Sequence, residues 1–233
     1  MKDLCLSATE RALRRGTWFD SLPNDLRQLL LQHGSLKDYV PGETLFVRGD
    51  APSGLFAVVS GRVSICGLDR QGREAVLTLL EPPSWFGEVA LFDDSERTHD
   101  ARVEQASQIF HVSDSALQGI LQQEPQYWRD FGRLLSSKLR LAFVALEDLA
   151  LLPASLRLMR RLVLMAEGYG DRRDCPLCVV DVQQEQLGNM LSISRQTTNQ
   201  ILKELSLKGL IEIRYGKIYL LDLDALRKAA YPE

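Results

Sequence analysis

The chain has 233 residues, 45% apolar and 25% charged, with 28 Lys and Arg against 31 Asp and Glu for a net charge of −3. That describes an ordinary soluble globular protein, long enough for one large or two modest cored domains. No apolar run reaches the length of a membrane span and the N-terminus has no apolar signal core, so the expected compartment is the cytoplasm. The net charge alone speaks against nucleic acid, but its distribution is uneven. From Pro153 onward there are 12 Lys and Arg against 10 Asp and Glu, a net of +2, and the remainder carries −5. Any nucleic-acid affinity must then come from local placement of charge.

Residues 1–17 carry Arg11, Arg14 and Arg15 with little apolar periodicity, and read as a tail or a short surface helix. A short helix follows Trp18, with Leu26, Leu29 and Leu30 on its inner face. Between Gly34 and His111 the pattern changes to short alternating runs, namely Tyr39–Glu43, Thr44–Val47, Leu55–Val59, Gly61–Ile65 and Glu74–Leu80. Gly42, Gly49, Gly54, Gly61, Gly72 and Gly87 mark tight bends between them. Many short strands with frequent turns predict a small closed sheet, sandwich or barrel, able to hold one ligand inside.

The chemical candidate in this region is Phe86-Gly87-Glu88-Val89-Ala90-Leu91-Phe92, followed by Glu96-Arg97-Thr98. A helical turn beginning at Gly87 exposes backbone N–H groups, and Arg97 offers a fork to an anionic phosphate. Thr98 adds a hydroxyl donor, while Glu88 can accept from a ribose hydroxyl. The same residues also permit a plain surface reading, in which Arg97 pairs with Asp93, Asp94 or Glu96.

From Ser113 to Leu152 the pattern is helical, with Pro125 at the entry to the long part. Leu135, Leu139, Ala142, Leu146 and Leu149 step by alternating fours and threes, the spacing of a coiled-coil seam, and predict a homodimer. One helix buried inside a single domain is the alternative. Leu134, Leu141 and Val144 lie off the seam and are expected to pack on the sheet. Pro153 ends the helix and begins the next, Ala154–Glu167, which makes it the natural hinge. Gly168-Tyr169-Gly170-Asp171 stops that second helix.

Leu187, Leu191, Ile201, Leu202 and Leu205 then recur at helical spacing around a Ser192-Ile193-Ser194 break, predicting two short helices at a tight turn. Ser194 can cap the second helix. Arg195, Gln196, Asn199, Gln200 and Lys203 share the face opposite Ile201, Leu202 and Leu205. Arg reads guanine bidentately and Gln or Asn reads adenine, so this face suits the major groove of double-stranded DNA. Leu210–Leu220 alternates around Tyr215-Gly216 and reads as a hairpin wing. Arg195, Gln196 and Gln200 are the expected base contacts. Ser194, Thr197, Lys203 and Lys217 suit phosphates or the wing.

Cys5, Cys66, Cys175 and Cys178 lack the four-ligand spacing of a zinc site, and Cys175-Pro176-Leu177-Cys178 is read as two reduced thiols. His33, His99 and His111 show no metal-ligand spacing either, and no metal is expected. Nor is an enzyme, since no nucleophile–base pair or catalytic carboxylate constellation stands out.

Leu187-Gly188, Ser194-Arg195-Gln196-Thr197, Ile201-Leu202-Lys203-Glu204-Leu205 and Gly209-Leu210-Ile211 resemble the DNA-binding domain of the CRP/FNR family of bacterial transcription regulators. Tyr39–Val112 resembles that family's cyclic-nucleotide-binding β-roll. The resemblance implies an α+β chain with a β-roll and N-terminal helix over residues 1–122, a long dimerisation helix over 123–152 and a winged helix-turn-helix over 153–233. It further implies that Gly87 and Glu88 meet a ribose, that Arg97 and Thr98 hold a cyclic phosphate (cAMP or cGMP as effector), and that RNA polymerase is a further partner.

Four departures from the family pattern stand out. Gln196 replaces the usual Glu, which changes the preferred base from cytosine to adenine. His99 and Asp100 follow Arg97-Thr98 where the family often has Ala and an apolar residue. Ala142-Phe143 replaces the Thr-Ser pair that contacts adenine in cyclic AMP-responsive relatives, leaving Phe143 to stack on a flat ring. Iron–sulfur relatives use several N-terminal cysteines, where this chain offers Cys5 alone. Two further readings stand beside the main one: a ligand-independent DNA binder with a scaffold roll, and a nucleotide-binding module acting through protein partners.

Overall fold

The computed structural model describes residues 2–68, 74–172 and 176–232, with the side chains of 2–7, 68 and 74 outside the description. Gly72, Cys175 and the side chain of Cys5 therefore lie outside the described residues. The chain divides into two units, residues 1–139 with 171–173, and residues 140–170 with 174–233.

In the first unit, helices α1 (Lys2–Leu13), α2 (Thr17–Ser21) and α3 (Asn24–His33) lead into β1 (Gly34–Tyr39), β2 (Thr44–Phe46) and β3 (Gly54–Leu68). There follow β4 (Glu74–Leu80), β5 (Trp85–Phe86), α4 (Ala90–Asp93), β6 (Asp100–Ser113), α5 (Asp114–Gln123) and the start of α6 (Trp128–Leu151). The strands pair antiparallel in the order β1-β6-β3-β4, with β2 added to β6 and β5 to β3. Two apolar clusters hold this roll. One gathers Trp18, Phe19, Leu26 and Leu30 with Trp85, Phe110, Leu117, Phe131 and Leu134. Trp18 meets the Trp85 ring edge-on at 5.2 Å and Phe19 stacks on it at 5.4 Å. The other fills the sheet interior with Phe46, Phe56 and Phe86, backed by Val58, Val63 and Ile109. Each fully buried side chain of this size stabilises the fold by about 1.5–3 kcal/mol.

Several expectations are corrected here. The runs 55–59 and 61–65 are one strand, β3, and Gly61 is a bulge in it rather than a turn. At φ +85° its missing Cβ would lie 2.2 Å from Ser107 Oγ, so only glycine lets β6 pass. Strand β6 itself was not anticipated, because its alternation of Ala101, Arg102, Val103 and Glu104 is broken by a register shift further along. The helical turn expected from Gly87 begins at Ala90, since Gly87 has φ +97°, outside any right-handed helix. Of the two readings of the N-terminal segment the structure takes the helix, α1, but its last residue Leu13 is fully buried rather than on the surface. Off the seam, Leu134 joins the core as expected, but Val144 is exposed.

The second unit contains the remainder of α6, then α7 (Ala154–Ala166), β7 (Val179–Val180), α8 (Gln184–Met190) and α9 (Arg195–Leu207). It ends with β8 (Ile211–Arg214), β9 (Lys217–Leu220) and α10 (Leu223–Ala230). A three-stranded sheet, β7-β9-β8, closes the unit. Leu158, Leu162, Ala166, Leu187, Leu202, Ile211, Ile218 and Leu226 are among its buried residues. Helix α10 was not anticipated. Asp222 caps it, and Arg227 ties it to Glu167 after α7 through two hydrogen bonds, at 2.6 and 3.1 Å.

Candidate effector site and nucleic-acid interface

In the roll, Gly87 ends β5 and Arg97 precedes β6, and the two are brought together. Arg97 is 5% exposed, and its guanidinium lies over the Phe46 ring at 4.4 Å. Nη1 donates to Gly87 O at 2.8 Å, while Nη2 donates to Gly54 O at 2.8 Å and Ser53 Oγ at 3.1 Å. Neither an open fork nor a surface pair with Asp93, Asp94 or Glu96 is formed. Nε remains buried without a partner. Burial pushes the Arg97 pKa down, and Glu88, Asp114 and Asp50 oppose that shift.

Glu88 is also buried, and its Oε2 accepts from Lys138 Nζ at 2.8 Å. Lys138, on α6, donates as well to the carbonyl of Trp85. Lys138 was missed in the sequence. Its signal was the one lysine of α6, one turn before Ala142. Thr98 is exposed, with Oγ1 2.9 Å from His99 Nδ1. Asp100 does not face an anion at Arg97. It is buried, accepting from Arg48 N at 2.8 Å and from Arg102 Nη2 at 3.0 Å. The first unit therefore assembles Gly87, Glu88 and Arg97 with Lys138. Phe143 belongs to the second unit, where it is 61% exposed on α6.

In the second unit, α8 and α9 meet through Leu191–Ser194, and Ser192 takes φ +54° at the turn. Ser194 Oγ accepts from Thr197 N at 3.1 Å, the expected cap. Buried Thr198 donates from Oγ1 to Ser194 O at 3.1 Å. A Cβ at Gly188 would lie 2.9 Å from Thr198 Oγ1 and 3.0 Å from Ile193 O, so α8 approaches the turn as closely as glycine permits.

The apolar face of α9 is buried at Ile201, Leu202 and Leu205. Its outer face forms a groove lined by Arg195, Gln196, Asn199, Gln200, Lys203, Glu204 and Leu207. Among the described residues neither Arg195 nor Lys203 makes an ion pair. Asn199 buries its Oδ1 without a partner, so it cannot read adenine with both amide atoms in this arrangement. Lys217 shares its charge with Asp181 at 3.2 Å. On the wing, Arg214 pairs with Lys217 across Tyr215 (φ +51°) and Gly216 (φ +77°), leaving Tyr215 99% exposed. Sequence reasoning placed the wing but did not single out Tyr215 or Glu204.

Among the described residues no group of His, Cys, Asp and Glu is arranged to hold a metal ion, and no helix is long and apolar enough to cross a membrane. Buried Arg97 and Glu88 in a β-roll, the latter met by half-buried Lys138 of α6, with a capped reading helix and a wing, define a two-part regulator. Residues 36–124 match the cyclic nucleotide-binding domain, and residues 156–229 match the Crp-like helix-turn-helix domain. A CRP-like cAMP-activated global transcriptional regulator of Mycobacterium tuberculosis is 27% identical over 194 residues, covering 83% of this chain and 87% of that protein. The cyclic AMP receptor protein of Thermus thermophilus is 25% identical over 214 residues, covering 91% and 96%. The crystal structure of a CRP-family transcriptional regulator from Thermus thermophilus superposes with a TM-score of 0.65 at 25% identity, covering 83% of this chain and 96% of its own. The chain belongs to the CRP/FNR family of transcription regulators.

Proposed function

We propose that this chain is a homodimeric, sequence-specific DNA-binding transcription regulator whose roll takes a cyclic nucleotide, with cAMP the first candidate. The observation that carries the DNA reading is the groove on α9, where Arg195, Gln196, Gln200 and Lys203 stand clear of the buried face. Arg195 and Gln196 reach base edges, while Ser194, Thr197, Lys203 and Lys217 serve phosphates. Lys217 acts more weakly because Asp181 shares its charge. RNA polymerase is proposed as a further partner, and the cytoplasm as the compartment.

For the effector, the donor set fits an anion. Arg97 holds an unpartnered Nε and Lys138 is a second cation, so an approaching phosphate has two positive groups to draw on. Satisfying a buried donor of this kind gains about 1–3 kcal/mol. Glu88, released from Lys138, accepts from a ribose hydroxyl. Phe143 is the candidate for stacking on the base. One relative is named for activation by cAMP and another as a cyclic AMP receptor, which supports this choice.

A second reading has its own observation. Arg97 already bonds two carbonyls and Glu88 already bonds Lys138, so the roll holds itself together without ligand. That arrangement suits a regulator that binds DNA constitutively.

Selection from a random duplex library, with and without cAMP or cGMP, separates the two. The proposal expects an enriched motif that sharpens with nucleotide, loss of that response in Arg97→Ala, and loss of the motif in Arg195→Ala. The same motif at the same affinity under every condition establishes the second reading. No motif at all overturns both.

A further inference from the structure

Asp148 lies near the end of α6, between the exposed seam residues Leu146 and Leu149, yet it is itself buried. A carboxylate in that position requires a partner. Arg160 of α7 supplies it, with Nη1 donating to Asp148 Oδ1 at 2.5 Å. Its Nε donates to Ala230 O, at the end of α10, at 3.0 Å, and its guanidinium lies over the Tyr231 ring at 4.4 Å. The carbonyls at a helix C-terminus lack partners within the helix and favour a cation. Because a guanidinium is a planar fork with donors in fixed directions, this one side chain sets α6, α7 and α10 relative to one another. The Asp148–Arg160 pair also spans Pro153, the hinge expected from the sequence. Helix α9 packs on α7, so the reading face and the seam residues Leu146 and Leu149 are carried by one unit.

We infer that Arg160 is a positioning residue for DNA recognition: by locking the corner at Pro153 it fixes the reading helix to the dimer seam, and with it the half-site spacing that the homodimer accepts. A loose corner lets each α9 swing and meet half-sites at several separations, whereas a locked one admits a narrow range. Base choice within a half-site stays with Arg195, Gln196 and Gln200. The inference rests on the homodimeric DNA-reading function proposed above.

The test uses the purified full-length chain with cAMP. Selection gives the half-site motif, and affinity is then measured on duplexes carrying one half-site, or two whose separation is stepped base pair by base pair. Arg160→Gln, Asp148→Asn and the double variant are compared with the parent, alongside sedimentation and thermal unfolding. The parent prefers one spacing over its neighbours by about tenfold or more. Each single variant leaves a buried group unpaired and loses Tm, but the double variant removes both charges and keeps a Tm near the parent's. All three bind the single half-site as the parent does and stay dimeric. Their spacing preference falls to about threefold or less, and the double variant loses no more than either single one. A folded, dimeric double variant that keeps the parental spacing preference overturns the inference. Weakened binding to the single half-site in step with the lost preference assigns the effect to a damaged reader, and overturns it too. So does a dimeric parent that binds every spacing alike. A monomeric parent, or one that enriches no motif, overturns instead the homodimeric DNA-reading function beneath it.

Discussion

At Asp171 a single carboxyl reports on the effector cluster. Burial pushes its pKa up from 3.8 to about 6, with Lys138 opposing the shift and Glu88 adding to it. Its backbone carbonyl is fixed by Thr17 N at 2.9 Å, and neighbouring Arg172 donates to Pro82 O at 3.0 Å. Because the folded-state pKa is raised, the folded chain holds a proton that the unfolded chain has released between about pH 4 and 6. Stability from this group therefore falls as pH rises through that window and is level above it. Asp171→Asn removes the effect. Its Tm advantage over the parent should grow from about pH 4 to about pH 6 and stay constant beyond, a comparison in which the other titrating groups cancel. A Tm difference independent of pH would mean that the carboxyl titrates normally. Arg97 teaches a related lesson: a charged residue chosen for its chemistry is bonded to backbone carbonyls, which no local sequence pattern announces.

Among the elements, the helix-turn-helix was the most legible from the chain. Its signals are local: Ser194 as cap, apolar residues at helical spacing, and a polar face with few alternatives. The turn between α8 and α9 depends on close approach at Gly188, where the nearest atoms are a side-chain oxygen and a carbonyl. Gly188→Val should destabilise the second unit by about 1–3 kcal/mol, as overpacking does, and weaken DNA binding through misplacement of α9. Calorimetric unfolding with a DNA titration checks this, and an unchanged Tm would show that the helices part without cost. Strand β6 and helix α10 were illegible for opposite reasons. In β6 a register shift breaks the alternation, and α10 is short, so its apolar residues Leu226 and Ala230 matter only once Arg160 and Glu167 meet it.

For the whole molecule, the exposed seam on α6 is the feature that a single chain leaves unexplained. Leu139, Leu146 and Leu149 are 51%, 61% and 43% exposed, at the coiled-coil spacing read in the sequence. Apolar side chains so repeated along one helix face are expected to meet their counterparts in a second copy. Leu146→Lys places a charge in that seam. Sedimentation should then show a shift from dimer towards monomer, with DNA affinity falling because two half-sites are no longer engaged together. A monomeric parent would remove the seam's role.

Local patterning was sufficient for the strand-rich half, the long helix, the capped reading helix and the residue types that face DNA. These depend on periodicity, glycine and proline placement, and capping, all of which act within a few residues. Tertiary structure alone decided that Arg97 bonds Gly54 and Gly87 and that Lys138 reaches Glu88 fifty positions away. Both link groups set apart in sequence, whose pairing is selected by burial and not by spacing.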